Sequence, residues 1–355
     1  MPLLRAEWWE AHQPLVVFMW IILLVVPFAI VYGAGDTFET VLECIVNDYL
    51  TFIVLLFGLF CVSGNITVGG DFAGSPRVNA CLLALGTLLS SCIGTTGASM
   101  LMVRPVIKMN SWRKRKRHIM VFFIFLISNM GGCLTPIGDP PLLIGFMRGV
   151  LPGMSAFQDA AGNVRGIRLY GEVALTLPAL IEIVIILLAA FLSFKTTDSS
   201  IRTKNHFTWG AIKEVAVLFI GIFITMQPAL MLLKSVGPNL GISEPYQMFW
   251  ATGALSSFLD NTPTYLVFLT TAGTLGLTGG ITTALGQIPV NLLEAISCGA
   301  VFMGANTYIG NAPNFMVKAI SDENGVNMPS FFGYILWSLA FLVPVFILDM
   351  LVFFL

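Results

Sequence analysis

The sequence predicts an all-α polytopic membrane protein, a bundle of spanning helices. Composition argues for it first: 56% of the 355 residues are hydrophobic, 10% are charged and the mean hydropathy is +0.86. A water-soluble domain of this length needs far more polar surface. Segmentation argues for it second, because the apolar residues come in runs near or above the roughly 20 needed to cross hydrocarbon as helix, unlike the alternating short strands of a barrel. The third observation is that two apolar runs are interrupted midway by polar, glycine or proline residues.

The first run, "PLVVFMWIILLVVPFAIVYG" at residues 14–33, follows a leader without a basic cluster and precedes no small-residue cleavage pattern. It reads as a span and not as a signal peptide. Further crossings are expected at 42–66, 118–149, 170–195, 209–233, 286–320 and 331–355. The interrupted runs, 78–108 and 244–273, carry "SSCIGTTGAS" and "SSFLDNTPTY" at their centres. Each reads as helix, polar tip, helix: a re-entrant hairpin that enters and leaves on one side. Two ordinary helices or one kinked span is the competing reading.

Charge sets the sidedness. With "WRKRKRH" at 112–118 cytoplasmic by the positive-inside rule, alternation assigns the other loops. Fourteen of the eighteen lysines and arginines then lie inside, five of them from that loop, and only Arg148, Arg165, Arg168 and Lys234 outside. The N-terminus is cytoplasmic. The first hairpin opens inward and the second outward, so the two halves of the chain are oppositely oriented.

The halves also share a motif. "IGDPP" at Ile137 to Pro141 is matched by "IGNAP" at Ile309 to Pro313, and each follows its hairpin tip by roughly forty to fifty residues. The expected organisation is two inverted repeats, 1–195 and 196–355, each with a hairpin and a broken helix (118–149 and 286–320). Paired Gly/Pro-interrupted segments in inverted halves point to the binding site of a secondary transporter. Unwound backbone at membrane depth is tolerated only where it is buried in protein or lines a polar cavity.

At "IGTTGASMLMVRP", "SNMGGCLTPIGDPPLLIGF" and "LDNTPTYLVF" the chain resembles the ion transporter superfamily, closest to its citrate-transporter-like and NhaD-type sodium:proton antiporter branch. The resemblance covers about residues 80–320. It implies two inverted repeats, movement of a transport domain against a scaffold, and often a homodimer. It also places the substrate and sodium loops at the tips around Thr95, Thr96, Asn261 and Thr262, and at the breaks around Asn129, Gly131, Asn306, Thr307 and Asn311. Seven crossings and two hairpins are fewer than such transporters usually show.

Two acids select among transported species. Asp139 lies in the first break and Asp260 at the second tip, and each costs at least a few kcal/mol to hold in a membrane unless solvated, paired or protonated. One such carboxylate binds Na⁺ or H⁺ but not both comfortably, which is the simplest chemistry for antiport. The plainer reading makes both acids helix caps, and Asn129, Asn306 and Asn311 satisfiers of loose backbone. Glu182, Glu294 and Asp349 also fall in apolar stretches, and Arg104 sits beside a proline at the first hairpin's mouth.

The expected function is therefore Na⁺/H⁺ antiport by alternating access, with cation-coupled transport of a small anion such as citrate, a dicarboxylate or arsenite as the alternative. Expected partners are the transported ions and the lipid bilayer, in a bacterial inner membrane, and no nucleic acid. No cofactor is expected, and no metal site beyond transported Na⁺: the six cysteines are scattered singly and the three histidines lie near interfaces or loops. No HExxH, Ser/His or phosphate-loop constellation argues for an enzyme.

Overall fold

The structure is a computed structural model that describes residues 6–65, 73–135, 138–139, 142, 166–171, 173–205, 207–236, 241–277, 279–283 and 286–355. Ile137, Pro140 and Pro141 of the first motif, and the end of the 118–149 segment, lie outside the described residues. The chain is mostly helical.

It opens with α1 (Ala6–Tyr32), turns at Gly33, whose φ of 90° suits glycine, and continues through α2 (Ala34–Glu43), a π-helical turn (Cys44–Leu50) and α3 (Thr51–Gly64). Next come α4 (Pro76–Ile93), α5 (Thr95–Met109) and α6 (Arg117–Leu126), the last followed by a 3₁₀ turn at Met130–Leu134. A two-stranded antiparallel hairpin, β1 (Gly166–Tyr170) with β2 (Val173–Thr176), leads into α7 (Leu177–Thr196), α8 (Ser199–Lys204) and α9 (Gly210–Val236). The remainder is α10 (Pro245–Ser256), α11 (Asn261–Thr274), a second small hairpin of β3 (Ile281–Thr283) and β4 (Gly286–Ile288), and α12 (Val290–Met303) with a 3₁₀ turn at Gly304–Asn306. Then α13 (Ala312–Glu323), α14 (Phe331–Phe341) and α15 (Val343–Asp349) close the chain.

Among the described residues six helical segments are long and apolar enough to cross a membrane: His12–Tyr32, Ala34–Val62, Pro76–Ile93, Arg117–Leu134, Leu177–Thr196 and Phe331–Phe354. Their outward faces are apolar, as in Leu15, Phe18, Val184, Phe191, Leu336 and Phe353, which are all exposed. Such faces suit lipid, not water.

The two β-hairpins depart from the expected helix-only fold. Hydropathy places the start of a span at residue 170, but Val173–Thr176 pairs as a strand with Gly166–Tyr170, and the helix begins only at Leu177. There Thr176 caps it by accepting from the Ala179 N–H at 3.4 Å, with Pro178 in the first turn. Apolarity alone did not separate a short β-branched strand from the first turn of a helix.

The chain divides into two compact units, Met1–Thr67 with Pro152–Pro228, and Val68–Leu151 with Ala229–Leu355. In the first, α3 packs on α7, and Gly58 permits it: a Cβ there would lie 2.2 Å from the Ile186 Cγ2. Asn65 donates to the Ser193 hydroxyl at 2.7 Å, and Phe57, Phe60, Phe194, Phe207 and Trp209 form an aromatic cluster beside it.

In the second unit α4 and α5 form a helical hairpin. Ser75 caps α4, Pro76 occupies its first position, and Gly94, with φ 80°, reverses the chain between the helices. The far ends of the hairpin are joined by a reciprocal pair of amides, Asn79 Nδ2 to Asn110 Oδ1 at 2.9 Å and Asn110 Nδ2 to Asn79 Oδ1 at 2.8 Å. The Gly74 N–H adds a bond to the Met109 carbonyl. The second hairpin, α10 and α11, has a Glu244/Gln247 capping box at its start and Asp260 as the cap of α11. Helix α10 packs closely along α12, where a Cβ on Gly299 would lie 2.5 Å from the Phe249 carbonyl oxygen.

Candidate functional site

All eleven residues singled out from the sequence lie in the second unit, around two chain breaks. The first break follows α6 and runs from Ile127 through the 3₁₀ turn to Asp139. The second follows α12, from Gly304 to Asn311.

Each break is fastened to the tip of its own hairpin by the same pair of hydrogen bonds. The Ser91 hydroxyl donates to the Gly131 carbonyl, and the Thr135 hydroxyl donates to the Ser91 carbonyl. At the corresponding positions, the Ser257 hydroxyl reaches the Met303 carbonyl at 3.0 Å and the Thr307 hydroxyl donates to the Ser257 carbonyl at 2.5 Å. Each break also folds back on itself through two glycines. A Cβ on Gly138 would lie 2.2 Å from the Gly132 carbonyl oxygen, and one on Gly310 would lie 2.6 Å from that of Gly304. This close backbone approach is why both motifs read Ile-Gly.

At the first break Asp139 is fully buried. Its Oδ1 accepts from the Thr95 hydroxyl at 3.0 Å, and its Oδ2 accepts from the Asn261 Nδ2 at 2.8 Å. One donor thus comes from each hairpin tip, both are neutral, and the Thr95 N–H adds a 2.9 Å bond to the Gly138 carbonyl. Among the described residues this buried carboxylate meets only neutral donors, so it is incompletely compensated, which a cation or a proton corrects.

A second cluster joins the breaks through carboxamides. Asn129 donates to the Ile124 carbonyl at 2.8 Å and to Asn314 Oδ1 at 2.7 Å, while its own Oδ1 accepts from Asn311 at 3.1 Å. Asn311 also donates to the Ser128 carbonyl at 3.1 Å, and Asn314 donates to the Gly304 and Thr307 carbonyls at 2.9 Å. These amides supply donors that an unbroken helix would have drawn from its own backbone.

The remaining predicted residues divide. Asp260 accepts from the Thr262 N–H at 3.1 Å, the ordinary geometry of a helix cap. Asn306 donates to the Ser257 hydroxyl at 3.0 Å, yet its buried Oδ1 has no partner among the described residues. Gly131 packs so closely on α4 that a Cβ would meet the Thr87 carbonyl oxygen at 2.7 Å. Thr96 is half-buried in the first turn of α5 and takes no part in these bonds. Glu182 and Glu294 are exposed and Asp349 is half-exposed, and none of the three enters the bonds described at the breaks.

Sequence reasoning passed over Ser91, Ser128, Thr135, Ser257 and Asn314. A signal for two of them was present. A Ser-Ser pair ends four residues before the tip residue in both hairpins, at Ser90-Ser91 before Thr95 and at Ser256-Ser257 before Asn261.

The sequence model of a family described as "Putative citrate transport" matches residues 1–158 and again 154–354. The chain belongs to that family. Two successive matches cover nearly its whole length, and membership places it with the citrate-transporter-like ion transporter superfamily, among integral membrane transport proteins and not enzymes. No curated protein and no solved structure shows significant similarity to the chain.

Proposed function

We propose that this chain is a secondary active transporter in which Asp139 holds the transported or coupling cation, and that its mode is Na⁺/H⁺ antiport. In this reading the α4–α5 and α10–α11 hairpins are re-entrant, the halves that contain them are inverted in the membrane, and alternating access exposes Asp139 to each side in turn. The observation that carries it is the buried Asp139 carboxylate, which accepts one neutral hydrogen bond from each hairpin tip. Na⁺ and H⁺ compete for a group of this kind, and competition for one site couples their fluxes. The Asn306 Oδ1, which meets no donor among the described residues, and the Thr307 hydroxyl are further oxygens at the second break, and the hydroxyls of Thr95 and Thr262 lie at the two hairpin tips.

A second reading, cation-coupled transport of a small carboxylate, is favoured by the family's description. There Asp139 holds the coupling ion, and the anion sits on amide donors at the breaks.

Everted vesicles separate the two. Under antiport, an imposed pH gradient collapses when Na⁺ is added, and Asp139→Asn removes the response. If Na⁺ alone leaves the gradient intact while labelled citrate or a dicarboxylate accumulates, antiport is wrong and the carboxylate reading stands.

A further inference from the structure

The basic run Arg113, Lys114, Arg115, Lys116, Arg117 and His118 leads from the loop after α5 into the first turn of α6. Its first and last arginines are committed to holding it in place. Arg113 Nε donates to the Gly74 carbonyl at 2.8 Å, at the mouth of the first hairpin, and Arg117 Nε donates to the Asn327 carbonyl at 2.5 Å, in the turn before α14. The Arg113 N–H adds a bond to the Asn110 carbonyl. Between these anchors Lys114 and Arg115 are exposed and Lys116 is half-buried. Among the described residues no carboxylate forms an ion pair with any of the five.

Trp112, 60% exposed, projects beside them with the Arg113 guanidinium 4.8 Å from its ring centre. The loop lies at the start of the apolar segment Arg117–Leu134, so a bilayer around that segment places the loop at headgroup level. Tryptophan with unpaired cations at that level matches an anionic interface.

We propose that Trp112–His118 is a docking surface for the headgroups of anionic phospholipids, with Lys114, Arg115 and Lys116 holding the phosphate. The two anchoring arginines tie down the backbone on either side of the three central cations, so binding a phosphate orders their side chains but not the loop. This goes beyond a role in topology, since a loop that acts only during insertion has no further effect in the finished protein.

The test uses the purified full chain in detergent, loaded with phosphatidylglycerol or phosphatidylcholine of the same acyl chains and read by native mass spectrometry. Phosphatidylglycerol is retained in preference, and the variant Lys114→Gln/Arg115→Gln/Lys116→Gln, which keeps both anchoring arginines, loses about a hundredfold in affinity for it. The wild-type preference also falls as salt rises, which needs no variant to fold. Equal retention of the two lipids, retention unchanged in the variant, or indifference to salt overturns the proposal. Complete displacement by inorganic phosphate overturns it too, because the site then takes free phosphate and not a lipid.

Discussion

The two breaks of the second unit are built alike and carry different groups at the same position. Both are fastened to a hairpin by a serine and a threonine, and both fold back across a pair of glycines. At the position after the second of those glycines, one has Asp139 and the other Asn311. Asp139 accepts from both hairpin tips, whereas Asn311 donates to Ser128 and Asn129 in the opposite break. Shared bonds give the two breaks a common shape, and one side chain gives one of them a charge. Shape and charge are therefore separable by mutation.

Exchanging the charge has the largest expected effect. Asp139→Asn abolishes Na⁺-dependent dissipation of a pH gradient, and adding Asn311→Asp does not restore it, because the described donors from Thr95 and Asn261 go to residue 139. Restored transport in the double variant would make the two positions equivalent and remove the asymmetry.

Next come the facing glycines. A Cβ on Gly132 meets Thr95 Cγ2 at 2.6 Å and the Gly138 oxygen at 2.8 Å, while one on Gly304 finds its nearest neighbour at 3.1 Å. Gly132→Ala is expected to destabilise by about 1–3 kcal/mol and Gly304→Ala by less. Thermal unfolding in detergent measures both, and equal shifts would show that the first break is no tighter than the second.

The serines follow. Ser91→Ala removes one buried hydrogen bond, at about 1 kcal/mol. Ser257→Ala also takes away the acceptor for Asn306 and costs more. The same melting measurement ranks them, and a reversed order would mean that the Asn306 contact contributes nothing.

Smallest is Asp260→Asn. Asparagine caps a helix about as well as aspartate, so transport and melting temperature stay near wild type if Asp260 only caps α11. Loss of transport at unchanged stability would move Asp260 from cap to ion ligand.

Composition and hydropathy made the helical membrane class legible, since a long apolar run has few other physical outcomes. The motifs Ile137-Gly138-Asp139 and Ile309-Gly310-Asn311 were legible as breaks because glycine, proline and a short polar residue are costly inside a spanning helix. What the breaks bond to was not. Asn129 meets Asn314 across 185 residues and Asn261 meets Asp139 across 122, and no local pattern encodes such pairings. The first small β-hairpin was missed for a different reason: Val173 carries the apolarity of a span and the β-branching of a strand at once.

The two asparagine clusters also differ in when they are able to form. Asn79 and Asn110 are 31 residues apart, so the first hairpin is able to close as soon as its own residues emerge. Asn129 lies only a short way further along, but its amide partners Asn311 and Asn314 are made 182 and 185 residues later. During synthesis the first break therefore precedes the groups that satisfy it by half the length of the chain. Until then the Asn129 Oδ1 and the N–H that does not go to the Ile124 carbonyl need other company: water, the translocation machinery or a temporary neighbour.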